Sequence, residues 1–280
     1  MTDTKDNLRE YQNMILEIFW DVVKVCKDNG ITYFLTDGSC LGAIRHEGII
    51  PWDDDIDMGI FSDDYDKFYE ALNTSLGSKY TIERTFDQRR FPTHTDVIGK
   101  IGNKEHLVYT DIFNTEEKNT VHPWIDVMLI CGCPKGRLLT FIHFYHILFL
   151  KVLLKLSNRE SIGFNSDKKR GRVERFILFI AKHVSFSKFI DEIKISDRLK
   201  NVLFKYNPHE SDRLFAYSSD YREKEIVPFE YYGKGRDAAF EGMMATVPME
   251  AEKYLTQIYG DYMQIPPVDK RHKHVTRIIR

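Results

Sequence analysis

The sequence predicts a mixed α/β fold (α+β, one mixed sheet) carrying a helical insertion. Near the start, apolar residues recur at three- and four-residue spacing, and short β-prone runs separated by turn residues follow. From 138 to 204 the pattern turns almost wholly helical. The expected organisation is a catalytic core over 1–137, a helical insertion over 138–204, and a return to the core over 205–280. With 280 residues, 42% hydrophobic and 29% charged, the chain has enough apolar material for a packed core.

Residues 6–28 place Leu8, Tyr11, Ile15, Ile18, Val22 and Val25 on one face of a helix that Asn29-Gly30 stops. Thr32–Thr36 reads as a strand, Asp37-Gly38-Ser39 as a turn, and the run from Ser39 to His46 as a short helix. A second strand is expected over Asp55–Phe61, with Ser62 capping the helix after it. Further strands are expected at Tyr80–Phe86, Val97–Ile101, Leu107–Tyr109 and Trp124–Ile130. Helices are expected in the runs LLTFIHFYHILFLKVLLKL, VERFILFIAKHV and FSKFIDEIKISDRLKNVLF, and a terminal helix, PMEAEKYLTQIYG, should end at Gly260.

Net charge is −2 and no one-sided basic block occurs, so nucleic acid is not the expected partner. Cys26, Cys40, Cys131 and Cys133 form no C-x-x-C pair and read as buried free thiols. The polar start, MTDTKDNLREYQ, has no secretory pattern, and a cytoplasmic location is expected. Leu138–Leu150 is strongly apolar but shorter than the roughly 20 residues that span a bilayer. A core helix fits this stretch, and so does a helix lying on the inner face of a membrane through 138–156.

The segment Pro51-Trp52-Asp53-Asp54-Asp55-Ile56-Asp57-Met58 carries the chemistry. Crowded aspartates repel unless cations or donors compensate them. On a strand Asp55 and Asp57 share a face, about 7 Å apart, and can converge on Mg²⁺ or Mn²⁺. A calcium loop fits poorly, since its glycine and glutamate positions hold Met58 and Asp64. Upstream, Gly38 and Ser39 lie at a strand-to-helix turn suited to a phosphate, with Arg45 on the helix that follows. Asp126 is a lone acid in an apolar strand and needs a cation or a donor. Lys100, likewise in an apolar run, either meets phosphate or snorkels to solvent.

The run from Asp37 to Phe68, DGSCLGAIRHEGIIPWDDDIDMGIFSDDYDKF, resembles the LicD family of phosphotransferases, relatives of the fukutin-related proteins. WIDVMLICG and YLTQIYGDYMQIPP resemble two later family blocks. Where the family often ends in paired histidines, this chain has His272-Lys273-His274. The resemblance implies a nucleotidyltransferase-like fold and transfer of a phospho-alcohol from a CDP-linked donor, CDP-choline foremost, to a glycan or lipid-linked glycan. It also implies that Gly38 and Ser39 match the phosphate turn, Asp55, Asp57 and Asp126 the metal-holding acids, and Arg45 the motif arginine. The alternatives are a nucleotidyltransferase or Asp-x-Asp glycosyltransferase using the same acids, and a non-catalytic scaffold of the same fold. The glycosyltransferase is disfavoured because such enzymes place nucleotide-binding βα units before that motif, and here a single strand precedes Asp55.

Overall fold

The computed structural model describes residues 4–84, 86, 99–110, 120–157, 191–217, 221–268, 271 and 276–278. Helix α1 (Thr4–Asp28) buries Tyr11, Ile15, Ile18, Val22 and Val25 of the periodic set, leaves Leu8 half-buried, and ends where Gly30 takes a φ of 60°. Strand β1 (Tyr33–Leu35), helix α2 (Asp37–His46) and strand β2 (Asp57–Phe61) follow. The regular strand starts at Asp57, two residues later than expected, although Asp126 N–H still donates to Ile56 O at 3.0 Å.

Ser62 does not cap the next helix. It opens a 3-10 turn (Ser62–Asp64), is buried, and faces the Cys131 thiol, so its hydroxyl is turned away from the free amides of α3 (Tyr65–Leu76). Strands β3 (Tyr80–Glu83), β4 (Gly99–Asn103), β5 (Val108–Thr110), β6 (Thr120–Val121) and β7 (Trp124–Gly132) come next. Helices α4 (Arg137–Ser157) and α5 (Glu192–Leu203) pack against each other. The expected helix VERFILFIAKHV and His272-Lys273-His274 lie outside the described residues. Strands β8 (Arg213–Ala216), β9 (Ile226–Pro228), β10 (Arg236–Phe240) and β11 (Met243–Val247) precede α6 (Ala251–Tyr259), which Gly260 ends as expected with a φ of 77°. Strand β12 (Thr276–Ile278) pairs with β5.

The main sheet runs β1-β2-β7-β4-β3. Among the described residues only β2 and β7 pair in parallel, so the sheet is mixed, as the sequence predicts. Nine-residue β7 serves two neighbours along one edge: β4 pairs near its start and β8 near its end, with β9 beyond β8. The β10–β11 hairpin turns at Glu241 and Gly242, both at positive φ, in the manner of a type I′ turn. All four cysteines are buried free thiols, and burial pushes Cys26 and Cys133 up to about 12.

Candidate active site

Register brings the acids together. Asp57, the first residue of β2, pairs with Asp126 on parallel β7, and Lys100 on β4 pairs with Asp126 from the other side. Directly opposed residues project to the same face of a sheet, so Asp57, Asp126 and Lys100 share one face. Asp55 stands just before β2, half-buried, while Asp57 is 8% exposed. Lys100 Nζ lies 3.3 Å from Asp126 Oδ1 and 4.1 Å from the centre of the Trp124 ring. The cation that a lone acid in an apolar strand calls for is therefore Lys100, as an ion pair. Even so, Asp126 Oδ1 accepts no hydrogen bond.

The first turn of α2, helical from Asp37 where the sequence predicts a turn, reaches the same place. A methyl added at Gly38 would stand 3.3 Å from Asp53 Oδ2 and 3.7 Å from Asp57 Oδ2, so the missing side chain is what lets this backbone approach the acids. The hydroxyl of Ser39 accepts a hydrogen bond from Asp57 N–H at 2.8 Å, clamping the first turn of α2 to the start of β2. Ser39 is thus occupied in part by structure, with its own hydroxyl proton still available to a ligand. Arg45 sits in the last turn of α2 and donates to Tyr262 O at 2.6 Å and to His46 Nδ1 at 3.4 Å. Its hydrogen bonds are therefore to the C-terminal segment and to its own helix, not to the acid cluster.

Electrostatics sets this group apart. Burial, then Asp53, Asp126 and Asp54, raise the Asp55 carboxyl well above the ordinary range. Burial, then Asp55, Asp37, Asp126 and Asp53, do the same to Asp57. The like charges are close enough to resist ionising together, and this deficit is what a hard divalent cation would relieve. Among the described residues no three acidic, histidine or cysteine side chains form a ready-made metal shell. The donor set nonetheless fits Mg²⁺ or Mn²⁺: oxygen ligands only, raised carboxyls, and an Asp126 oxygen that accepts no hydrogen bond.

Several neighbours carry little signal in the sequence. Asp37 is buried, holds a φ of 42° that a non-glycine residue rarely adopts, and accepts a hydrogen bond from the Tyr254 hydroxyl of α6 at 3.1 Å. The same hydroxyl accepts Asp37 N–H at 3.2 Å. Tyr11 on α1 has its hydroxyl raised by burial first and then by Asp54, Asp126 and Asp55, which puts it beside the cluster. Gln12 Nε2 donates to Asp53 O at 2.8 Å and fixes the loop that carries the acids. Only the position of Asp37, just before Gly38-Ser39, offers a sequence clue. Tyr11 and Gln12 look like ordinary helix residues, and Tyr254 comes from the far end of the chain.

Residues 30–130 match the family model described as LicD/FKTN/FKRP, nucleotidyltransferase domain, a span containing the sequence-predicted site residues Gly38, Ser39, Arg45, Asp55, Asp57, Lys100 and Asp126. The chain is 29% identical over 279 residues to the lipopolysaccharide cholinephosphotransferase LicD of Haemophilus influenzae, with 96% of each chain covered. It is 33% identical over 113 residues to the ribitol 5-phosphate transferase FKRP of Homo sapiens, covering 38% of this chain and 21% of that one. A stretch of 49 residues is 45% identical to the ribitol-5-phosphate transferase FKTN of Mus musculus, 11% of whose length it spans.

Proposed function

We propose that the chain, whose residues 30–130 match the LicD/FKTN/FKRP nucleotidyltransferase domain, is a LicD-type phosphotransferase that moves a phospho-alcohol, phosphocholine first among the candidates, from a CDP-linked donor to a glycan hydroxyl and releases CMP. The work would take place at the cytoplasmic face of the cell envelope, on a polysaccharide or a lipid-linked glycan. The observation that carries the reading is the pairing of Asp57 with Asp126 across parallel strands, with the Gly38 backbone close against Asp57.

In this reading Asp55, Asp57 and Asp126 would hold Mg²⁺ or Mn²⁺, which when bound neutralises diphosphate charge and makes an adjacent hydroxyl more acidic. Asp37 N–H is taken by the Tyr254 hydroxyl, but the amides of Gly38 and Ser39 in the first turn of α2 lack intrahelical partners and would meet a phosphate oxygen, and the absent side chain of Gly38 leaves room for it. The Ser39 hydroxyl proton adds a donor there. Lys100 offsets charge beside Asp126, and Asp126 is the residue suited to take the proton of an incoming sugar hydroxyl. The Ser39 clamp and the Tyr254–Asp37 hydrogen bonds hold the turn in place, so the chain contributes chiefly positioning and charge stabilisation. Arg45 belongs to this reading through its place in the motif, and it must leave Tyr262 O to meet a phosphate.

The test is a panel of CDP-alcohols with Mg²⁺ or Mn²⁺, read by mass spectrometry. Transfer of phosphocholine yields CMP and a phosphodiester product. Free phospho-alcohol with a CMP-bearing acceptor would instead indicate nucleotidyl transfer, and undiminished turnover in EDTA would remove the metal from the reading.

A further inference from the structure

Helix α4 is apolar on two opposite sides. Phe144, Ile147, Leu150 and Leu154 are buried in the core, with the Phe144 ring 6.0 Å from that of Phe215 on β8. On the outer side Leu138 (73% exposed), Ile142, Tyr145, Phe149 (58%) and Val152 all face solvent. Their spacing of four, three, four and three residues makes one continuous stripe, about 21 Å long at the rise of an α-helix. A helix on the surface of a soluble fold turns polar residues outward, and a contiguous exposed apolar strip marks a surface that meets something. By length and composition Arg137–Leu154 is apolar enough to cross a bilayer. Its inner side, however, is committed to the core, which leaves lying on a surface as the geometry open to it.

Charge identifies the occupant. Residues 135–157 contain four cations by sequence and no aspartate or glutamate, in a chain whose net charge is −2. Lys151 is buried against Tyr217, which leaves Lys135 and Arg137 as the exposed cations of this segment's described side chains. Lys135 and Arg137 are exposed at the start of the stripe, next to Leu138 and Leu139. Among the described residues the one acid bonded to the stripe is Glu223, which accepts the hydroxyl of Tyr145. Apolar side chains flanked by cations suit a bilayer surface bearing anionic headgroups better than a polar protein face.

We propose that α4 seats the protein on an anionic membrane surface, with Leu138, Ile142, Tyr145, Phe149 and Val152 entering the headgroup–acyl boundary. The placement gives this consequence for the site. Phe144 packs at Phe215, opposite Cys131, whereas Lys151 lies 4.1 Å from the ring centre of Tyr217, whose amide bonds Leu129. Helix α4 therefore runs back along β7, and its later turns come level with Leu129, about 10 Å of strand from Asp126. If the transfer reading holds, the acceptor would be met at the membrane. The seating itself does not depend on that reading.

The test needs neither donor nor turnover. The full chain is sedimented with vesicles of phosphatidylcholine mixed with phosphatidylglycerol, and with phosphatidylcholine alone. The wild-type chain is expected to partition about tenfold or more in favour of the anionic vesicles, and Ile142→Glu with Phe149→Glu to lose that binding by a similar factor. Both positions are exposed, so the thermal midpoint should stay at the wild-type value, and Ile142→Ser with Phe149→Ser should show a smaller loss in the same direction. Wild-type protein left in the supernatant with anionic vesicles, or a variant that sediments as well as wild type, overturns the proposal. A wild-type dimer that the variant turns into a monomer gives the face to a second copy and overturns it too.

Discussion

The acid cluster and the tip of the β10–β11 hairpin hold carboxylates in opposite company. Glu241 receives Arg9 at 2.7 Å and Ile49 N–H at 3.0 Å, and its carboxyl is held below the ordinary range, chiefly by the Arg9 hydrogen bond. Asp57 is more deeply buried and faces further aspartates, and its carboxyl is held far above that range. Both residues anchor the segment around the acid loop, one before it through Ile49 and one after it. A carboxylate that serves only the fold can be fully satisfied, as Glu241 is. Asp57 is left short of positive charge, and a fold keeps such a deficit only where a ligand makes it good.

The sharpest way to break this contrast is Asp57→Asn. CMP release should fall about a thousandfold, the scale of losing a principal electrostatic contribution. Thermal stability of the metal-free protein should meanwhile rise by on the order of 1 kcal/mol as the repulsion is relieved. A variant that unfolds more easily without metal would put Asp57 in the same class as Glu241. Lys100→Met sharpens the contrast from the other side. It strips Asp126 of its counter-ion, and transfer should drop by about ten- to a hundredfold with circular dichroism unchanged. Gly38→Ala inserts a methyl 3.3 Å from Asp53 Oδ2 and should cost about tenfold, read as a raised KM for the donor.

The smallest effect belongs to Glu241. Glu241→Gln should cost about 1 kcal/mol at neutral pH, since Arg9 is half-exposed and its ion pair is screened. Because the folded carboxyl lies below its unfolded value, the unfolded chain binds more protons in that window. The Glu241 contribution is therefore complete above the ordinary glutamate range and drains away as pH falls through the folded value. A denaturation series from neutral pH into acid should show this slope in the wild type and a flatter one in Glu241→Gln.

What the sequence reveals follows the range of the interactions. The buried face of α1, the stop at Gly260 and the short strands that build the mixed sheet depend on neighbours within a few residues and are legible. The sequence-predicted strand over Asp55–Phe61 differs at its start because pairing, rather than alternation, sets where the ladder begins. Ser62 reads as a cap by residue type, yet its hydroxyl faces a cysteine far along the chain. The surroundings of the candidate site divide in the same way. Asp55, Asp57 and Gly38 stand in one short run, whereas Asp37 is held by Tyr254, and the acid loop is fixed by Gln12 and Glu241 from outside that run. No local pattern announces a hydrogen bond that spans more than two hundred residues.

The parallel ladder between β2 and β7 has one more consequence. The gap between Asp57 and Asp126 is ruled by main-chain hydrogen bonds rather than by flexible side chains. Adding or deleting a single residue in β7 ahead of Asp126 would turn its carboxylate to the other side of the sheet and bring a hydrophobic neighbour in its place. The mouth of the site is in this sense gauged by strand alignment. Length changes there should be far less forgiving than side-chain changes, while loops elsewhere remain free to vary.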